Sequence, residues 1–268
     1  IDDAAYYFST YLTAPQTNGE VNVNNAKYNL AYCLLKKESY KEALPYFEQI
    51  GKNAMVTSPT MEQDAYLRSG DCYFMQKNYA KATDKYDMIV KYALRGADYA
   101  YYQKGILAGL QAKPADKIAN LDKVIKDYPE SYYLDDAWYQ KAVTYVGQED
   151  YDKAITAHKT VIGKFPQSPY MRKSLLNLGL VYYNTNNYDE ALSNYKILLR
   201  DYPKSSEAQD ALVGIKDVYV AQGDADGYIK LIKQYPEVDF SISAQDSLTY
   251  QIAENYYSKE DCANAVTS

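Results

Sequence analysis

A step of 37 residues governs the middle and C-terminal half of this chain. Pro129, Pro166 and Pro203 are 37 apart, as are Ser131, Ser168 and Ser205. Tyr145, Tyr182, Tyr219 and Tyr256 keep the same step, and so do Ala154 and Ala191, with Ala265 two steps further on. Self-similarity at such a period means stacked supersecondary units, none of which can bury its apolar face alone. A chain built this way makes local contacts and presents a long surface. It points to binding as the class of function, and it makes residues 1–268 a single solenoid rather than two globular domains.

The stretch from Ser168 to Pro203 shows how one unit is encoded. Ser168 followed by Pro169 predicts an N-cap with proline in the first turn. Leu175, Leu178, Gly179 and Tyr182 recur at helical spacing, Asn184 to Asn187 form a polar turn, and Tyr188, Ala191, Tyr195 and Leu198 make a second stripe. That stripe stops before Pro203, because the residue preceding a proline is pushed out of the helical region. Each unit is therefore a helical hairpin, with Gly179 and Ala191 as the small residues that let its two helices approach.

This pattern resembles the tetratricopeptide repeat, W-x2-L-G-x2-Y, then A-x3-F, then P. Leu175, Leu178, Gly179, Tyr182, Ala191, Tyr195 and Pro203 match it nearly in full. Trp138, Ala142, Tyr145, Ala154, His158 and Pro166 match it one unit earlier. Tyr66, Gly70, Tyr73, Ala82 and Tyr86 repeat it, as do Leu30, Ala31, Leu34, Ala43 and Phe47. Tyr101, Gly105, Leu121 and Pro129 form a weaker copy, with Lys117 where a small residue belongs. The resemblance implies an all-α fold, a right-handed superhelical solenoid of antiparallel helix hairpins. The units run over residues 1–22 (partial), 24–57, 63–96, 98–131, 135–168, 172–205, 209–240 (irregular) and 246–268 (truncated). In the irregular unit Lys216 takes the small position and Tyr228 the alanine position. A narrower likeness lies in the junctions Tyr128-Pro129-Glu130-Ser131, Phe165-Pro166-Gln167-Ser168 and Tyr202-Pro203-Lys204-Ser205. They resemble the junctions of bacterial envelope repeat proteins, the periplasmic Tol-Pal coordinator family and the lipoprotein subunit of the outer-membrane barrel assembly machinery among them. That likeness implies a scaffold associated with the periplasm or outer membrane, with a lipid anchor upstream as an option; a cytoplasmic setting stays open.

Composition narrows the partner. A net charge of −6 argues against nucleic acid, whose binders cluster Lys and Arg to neutralise phosphates. No apolar run approaches the roughly 20 residues that span a bilayer. Tyrosine is abundant, 33 residues against 5 Phe and 1 Trp, and its apolar ring with a polar tip serves packing and recognition alike. In the tetratricopeptide fold the first helix of each hairpin lines the concave surface. The resemblance puts Tyr28, Tyr32, Tyr102, Tyr139, Tyr183, Tyr250 and Tyr257 there, with Phe74, Leu67, Ile106, Val143, Leu176 and Leu180, and with Asp71, Asp136 and Lys173 as scattered charges. The Lys and Asn clamp with which chaperone adaptors of the family hold a carboxylate is absent, since Tyr28, Tyr32, Leu67 and Asp71 occupy its positions.

Catalysis finds no foothold. The lone histidine, His158, sits where the repeat carries Phe or Tyr, and acid–base or metal roles would need converging partners. Asp224-Ala225-Asp226-Gly227 is similar to the start of a calcium loop but has Tyr235 at the twelfth position, so a hairpin turn is the better reading. Asp2-Asp3 and Asp135-Asp136 suit helix starts. Cys33, Cys72 and Cys262 lack metal-ligand spacing. The expectation is a non-enzymatic scaffold without cofactor or metal that binds a protein or peptide on its concave face. Glycan binding, or a spacing or oligomerising role within a longer protein, are the alternatives.

Overall fold

The computed structural model describes residues 1–14, 20–235 and 237, together with 250, 254 and 257. Every regular element among the described residues is a helix. A first helix, α1 (Asp2–Thr13), precedes six pairs: α2 (Glu20–Lys36) with α3 (Tyr40–Gly51), α4 (Thr60–Met75) with α5 (Tyr79–Lys91), and α6 (Ala97–Leu110) with α7 (Pro114–Asp127). The later pairs are α8 (Leu134–Gly147) with α9 (Tyr151–Lys164), α10 (Met171–Asn184) with α11 (Tyr188–Asp201), and α12 (Ser206–Gln222) with α13 (Ala225–Ile232). Residues Ile1–Ala137 form one compact unit and Trp138–Ser268 a second.

One device closes all six pairs. Each turn contains a single residue with positive φ: Glu38 (60°), Lys77 (60°), Ala112 (56°), Glu149 (59°), Asn186 (58°) and Gly223 (71°). The next residue then donates its N–H to the carbonyl five positions back, as Ser39 does to Leu34, Asn78 to Tyr73 and Lys113 to Ala108. Asp150, Asn187 and Asp224 do the same to Tyr145, Tyr182 and Tyr219. This is the Schellman closure, which satisfies carbonyls that a helix end leaves bare. Tyr145, Tyr182 and Tyr219 of the 37-residue step are thus residues whose backbone oxygens lock their hairpins.

Inside each of the first five hairpins a small residue on the first helix faces a large one 16 positions later. Gly179 and Tyr195 are the tightest case: a Cβ on Gly179 would lie 2.4 Å from Tyr195 Cε1. Gly214 of α12 approaches the same ring from the next hairpin, where a Cβ would be 2.5 Å from Cζ. The pair Ala31 and Phe47 is fully buried in one cluster, and Ala142 and His158 occupy the equivalent positions with no exposed surface. In the unit Trp138–Ser268 a continuous core runs from Leu175 through Tyr195 and Ile215 to Ile232.

Local departures have visible causes. α10 begins at Met171, so Ser168 does not cap it. Ser168 donates its N–H to Phe165 and accepts that of Met171, a pair of turns that holds Pro169 outside the helix, while its hydroxyl accepts from the N–H of Tyr170 at 3.0 Å. Ser205 does cap α12, accepting from the N–H of Ala208 at 3.1 Å. Lys117 fits the alanine position because Gly109 leaves room: a Cβ there would lie 3.0 Å from Lys117 Cδ. α13 has only 8 residues, and Tyr228 is buried with its ring edge-on to Tyr219 at 6.0 Å. Asp224 caps α13 by accepting from the N–H of Gly227 at 2.8 Å, which is a hairpin turn and not a calcium loop.

Candidate functional site

The first helices carry the residues the sequence singled out, and the structure gives most of the tyrosines work inside the molecule. In the unit Ile1–Ala137, the α2 residues Tyr28 and Tyr32 both donate their hydroxyls to Asp64 Oδ2 on α4, Tyr28 at 2.8 Å. Arg68 sits one turn along α4 and binds Asp64 at 3.2 Å, Asp71 at 2.6 Å and the Tyr32 hydroxyl at 3.0 Å. Its guanidinium also lies over the ring of Tyr99 on α6, 5.3 Å from the centroid. Tyr86 completes the cluster by donating to Asp71 Oδ1 at 2.7 Å.

The electrostatics follow from that packing. Burial opposes the Arg68 charge, but Asp71 and Asp64 outweigh it and hold the guanidinium above its usual range. Burial pushes the Asp71 carboxyl up, while Arg68 and Tyr86 pull it back. Burial, then the nearby Asp64 carboxylate, raise the Tyr28 and Tyr32 hydroxyls well above the ordinary phenol range, so they remain donors. One cation between two anions leaves the cluster net negative.

A second cluster sits between α6 and the start of α8. Tyr102 donates to Asp136 Oδ2, and its ring stacks on Tyr133 at 5.2 Å. Tyr99 tilts against Tyr133 at 5.1 Å. Two hairpins thus use the same connector: a first-helix tyrosine reaches an aspartate 34 or 36 residues on. That spacing, close to one repeat, is the sequence signal that marks Asp64 and Asp136 as partners of Tyr28 and Tyr102. Phe74 packs edge-on against Tyr79 at 6.0 Å. Leu67, placed by the repeat pattern on the open face, is buried in the core, because Gly96 of the following connector lies directly on it.

In the unit Trp138–Ser268, Tyr139 stacks on Tyr170 at 4.8 Å and meets the His158 ring edge-on at 6.1 Å. Tyr183 is half-buried, 5.9 Å from Tyr188. The exposed positions on these first helices are aliphatic instead: Val143 on α8, Leu180 on α10 (45% exposed) and Val213 on α12 (55% exposed). Val143 and Leu180 each follow the small residue of their hairpin, and Val213 sits one turn before the same register on α12. Lys173 and Asp210 stand exposed on α10 and α12. Tyr250 and Tyr257 are exposed helical residues whose neighbours lie outside the described residues.

The described residues contain no grouping of His, Cys, Asp or Glu able to hold a metal ion. Among them, no helix is long and apolar enough to cross a membrane. His158 has no exposed surface and no hydrogen-bond partner on either ring nitrogen, and burial pulls its pKa down to about 4. Cys72 is a buried free thiol pushed up to about 12 by burial, and Cys262 lies outside the described residues.

Tetratricopeptide-repeat models match residues 25–50, 64–93 and 99–131. The chain carries tetratricopeptide repeats. A model described as outer membrane lipoprotein (YfiO) matches residues 135–253. Solved structures with the same repeat architecture include a tetratricopeptide repeat protein from Parabacteroides merdae, with TM-score 0.58 and 14% identity over 90% of this chain and 89% of that one. YrrB, described as a tetratricopeptide protein with an unusual peptide-binding site, aligns with TM-score 0.53 and 17% identity over 77% and 98% of the two chains. PilW, a type IV pilus biogenesis factor, aligns with TM-score 0.54 and 17% identity over 93% and 100%. Likeness at these identities carries the fold alone. No protein of curated function matches the sequence.

Proposed function

We propose that this protein is a non-catalytic scaffold that binds a polypeptide segment on the first-helix face of its repeats, the face that is concave in a tetratricopeptide superhelix. The observation that carries this reading is the pair Val143 and Leu180, aliphatic side chains held in solvent at matching places on two successive first helices, joined by Val213, exposed one turn earlier on the third. Isolated exposed apolar residues are ordinary, but exposed aliphatic residues on three successive first helices, two of them in register, form a surface prepared for contact. The tyrosines serve this face from beneath. Stacked or hydrogen-bonded to the next hairpin, Tyr28, Tyr32, Tyr102 and Tyr139 hold neighbouring first helices in fixed relation, which lowers the ordering cost of binding. Tyr183, Phe74, Tyr250 and Tyr257 complete the set we assign to the same face.

A bacterial envelope setting is supported by the outer membrane lipoprotein model over residues 135–253 and by the likeness to PilW. A glycan is the weaker ligand, because the faces it would stack on in Tyr102 and Tyr139 are each covered on one side by Tyr133 and Tyr170. The test is a peptide array probed with the full chain and with Val143→Asp, Leu180→Asp and Val213→Asp. Binding of defined peptides that falls at least about tenfold in each variant supports the reading. Peptide binding indifferent to all three, or saturable binding on a glycan array that no peptide displaces, overturns it.

A further inference from the structure

The connector between the first two pairs builds an apolar surface. Residues 52–57, with Tyr66, Met88, Tyr92 and Leu94, line an open groove of about 720 Å³. Met55 and Val56 stand 61% and 62% exposed along it. Their exposure is built in and not the result of a slack loop. Gln63, itself buried, donates from Nε2 to the carbonyls of Ser58 at 2.8 Å and Val56 at 3.2 Å, and its Oε1 accepts from the N–H of Arg95 at 2.8 Å. The Ser58 hydroxyl accepts from the N–H of Met55 at 3.0 Å. A buried amide with three of its hydrogen bonds committed holds two apolar side chains in water, a cost that a ligand covering them would offset.

Charge and backbone chemistry narrow that ligand. Lys52 is the sole charged residue in the lining. Exposed Lys91 lies beside it, over the Tyr92 ring at 5.2 Å. Neither lysine has a carboxylate at ion-pair distance among the described residues. In a chain of net charge −6 these cations favour an acidic partner. In the loop, the carbonyls of Val56 and Ser58 and the N–H of Met55 are already engaged. An extended segment would bury its own backbone groups unpaired, whereas a helix satisfies them internally. Methionines at 55 and 88 suit a groove that accepts apolar side chains of varied shape.

We propose that this groove docks an acidic amphipathic helix of a partner polypeptide, at a site separate from the first-helix face. The test uses the full chain and two designed 18-residue helices. Both carry Leu at i, i+3, i+4 and i+7, one with Glu on its polar face and the other with Lys, and binding is read by fluorescence anisotropy at low salt. The acidic helix is expected to bind saturably and at least about tenfold more tightly than its Lys counterpart, with the gap narrowing as salt rises. Val56→Asp and Met88→Glu, with unchanged circular dichroism, should abolish binding. Lys52→Glu with Lys91→Glu should reverse the preference between the two helices. Failure of both helices to bind, equal binding of the two, or binding untouched by these variants overturns the proposal. So does sodium dodecanoate binding where the helices do not, or a dimer in sedimentation equilibrium that Val56→Asp dissociates, which would make a second copy the occupant. None of these outcomes bears on Val143, Leu180 or Val213, so this site and the first-helix face stand or fall separately.

Discussion

Replacing His158 by Phe should stabilise the protein, and by an amount that depends on pH. The ring has no exposed surface and neither nitrogen has a partner. An unpaired buried polar group costs about 1–3 kcal/mol, so removing both nitrogens should return stability on that scale at pH 7. Overpacking is the opposing effect, but the matching pair Ala31 and Phe47 shows that an alanine opposite accepts a phenyl ring without leaving it exposed. Proton binding adds the pH dependence. Above pH 6.5 the imidazole is neutral in both folded and unfolded chains, and the histidine exacts nothing further. As pH falls from 6.5 toward 4 the unfolded chain takes up a proton that the native ring refuses, and native stability drops; below 4 the loss levels off. The shift from 6.5 to about 4 corresponds to roughly 3 kcal/mol. His158→Phe lacks this loss, so its advantage should widen from about 1–3 kcal/mol at pH 7 by up to roughly another 3 at pH 4. Urea unfolding at a series of pH values measures it. Trp138, the single tryptophan, lies in the same compact unit and reports by fluorescence. Parallel stability–pH curves for the two proteins would refute the reasoning, because they would mean that the native ring is protonated as easily as the unfolded one.

Two further perturbations test the packing and the charge cluster. Gly179→Ala drives a methyl group to within 2.4 Å of the Tyr195 ring and should cost about 1–3 kcal/mol in the same urea assay; adding Tyr195→Leu should recover part of that loss, and strict additivity of the two would count against the clash. Arg68→Met strands Asp64 and Asp71 without their cation and should destabilise the unit Ile1–Ala137 by about 3 kcal/mol at pH 7, a penalty that shrinks on acidification as the Asp71 carboxyl, pushed up by burial, protonates; a pH-independent loss would assign Arg68 a packing role only.

Much of the architecture was legible because its signals are local. Helical spacing, the polar turns and the small residues Gly179 and Ala191 all lie within one hairpin, and local geometry determines them. The site was less legible because its bonds run between hairpins. Periodicity places Tyr28, Tyr32 and Tyr102 on a first helix, but whether a ring faces solvent or a neighbour depends on what the next hairpin brings, and here it brings Asp64 and Asp136. Ser168 was misjudged for a related reason: serine before proline satisfies the cap rule, yet two backbone turns delay the helix to Met171. The groove at Met55 and Val56 left no trace in the pattern, since a connector residue belongs to no stripe. Its one clue is Gln63, a polar residue at a position that the structure buries.

The left-handed turns also decide where this molecule can change length. Backbone bonds alone close each hairpin, so the apex residue is almost free to vary, and Glu, Lys, Ala, Asn and Gly all serve. The pairing of small and large residues holds at 16 positions in the first five hairpins, whereas the step from Ala31 to Gly70 is 39 and that from Gly70 to Gly105 is 35. Insertions and deletions are therefore confined to the joints between hairpins. Each hairpin behaves as an interchangeable cartridge, and new recognition surfaces, the Met55 groove among them, arise at the joints without disturbing the register on either side.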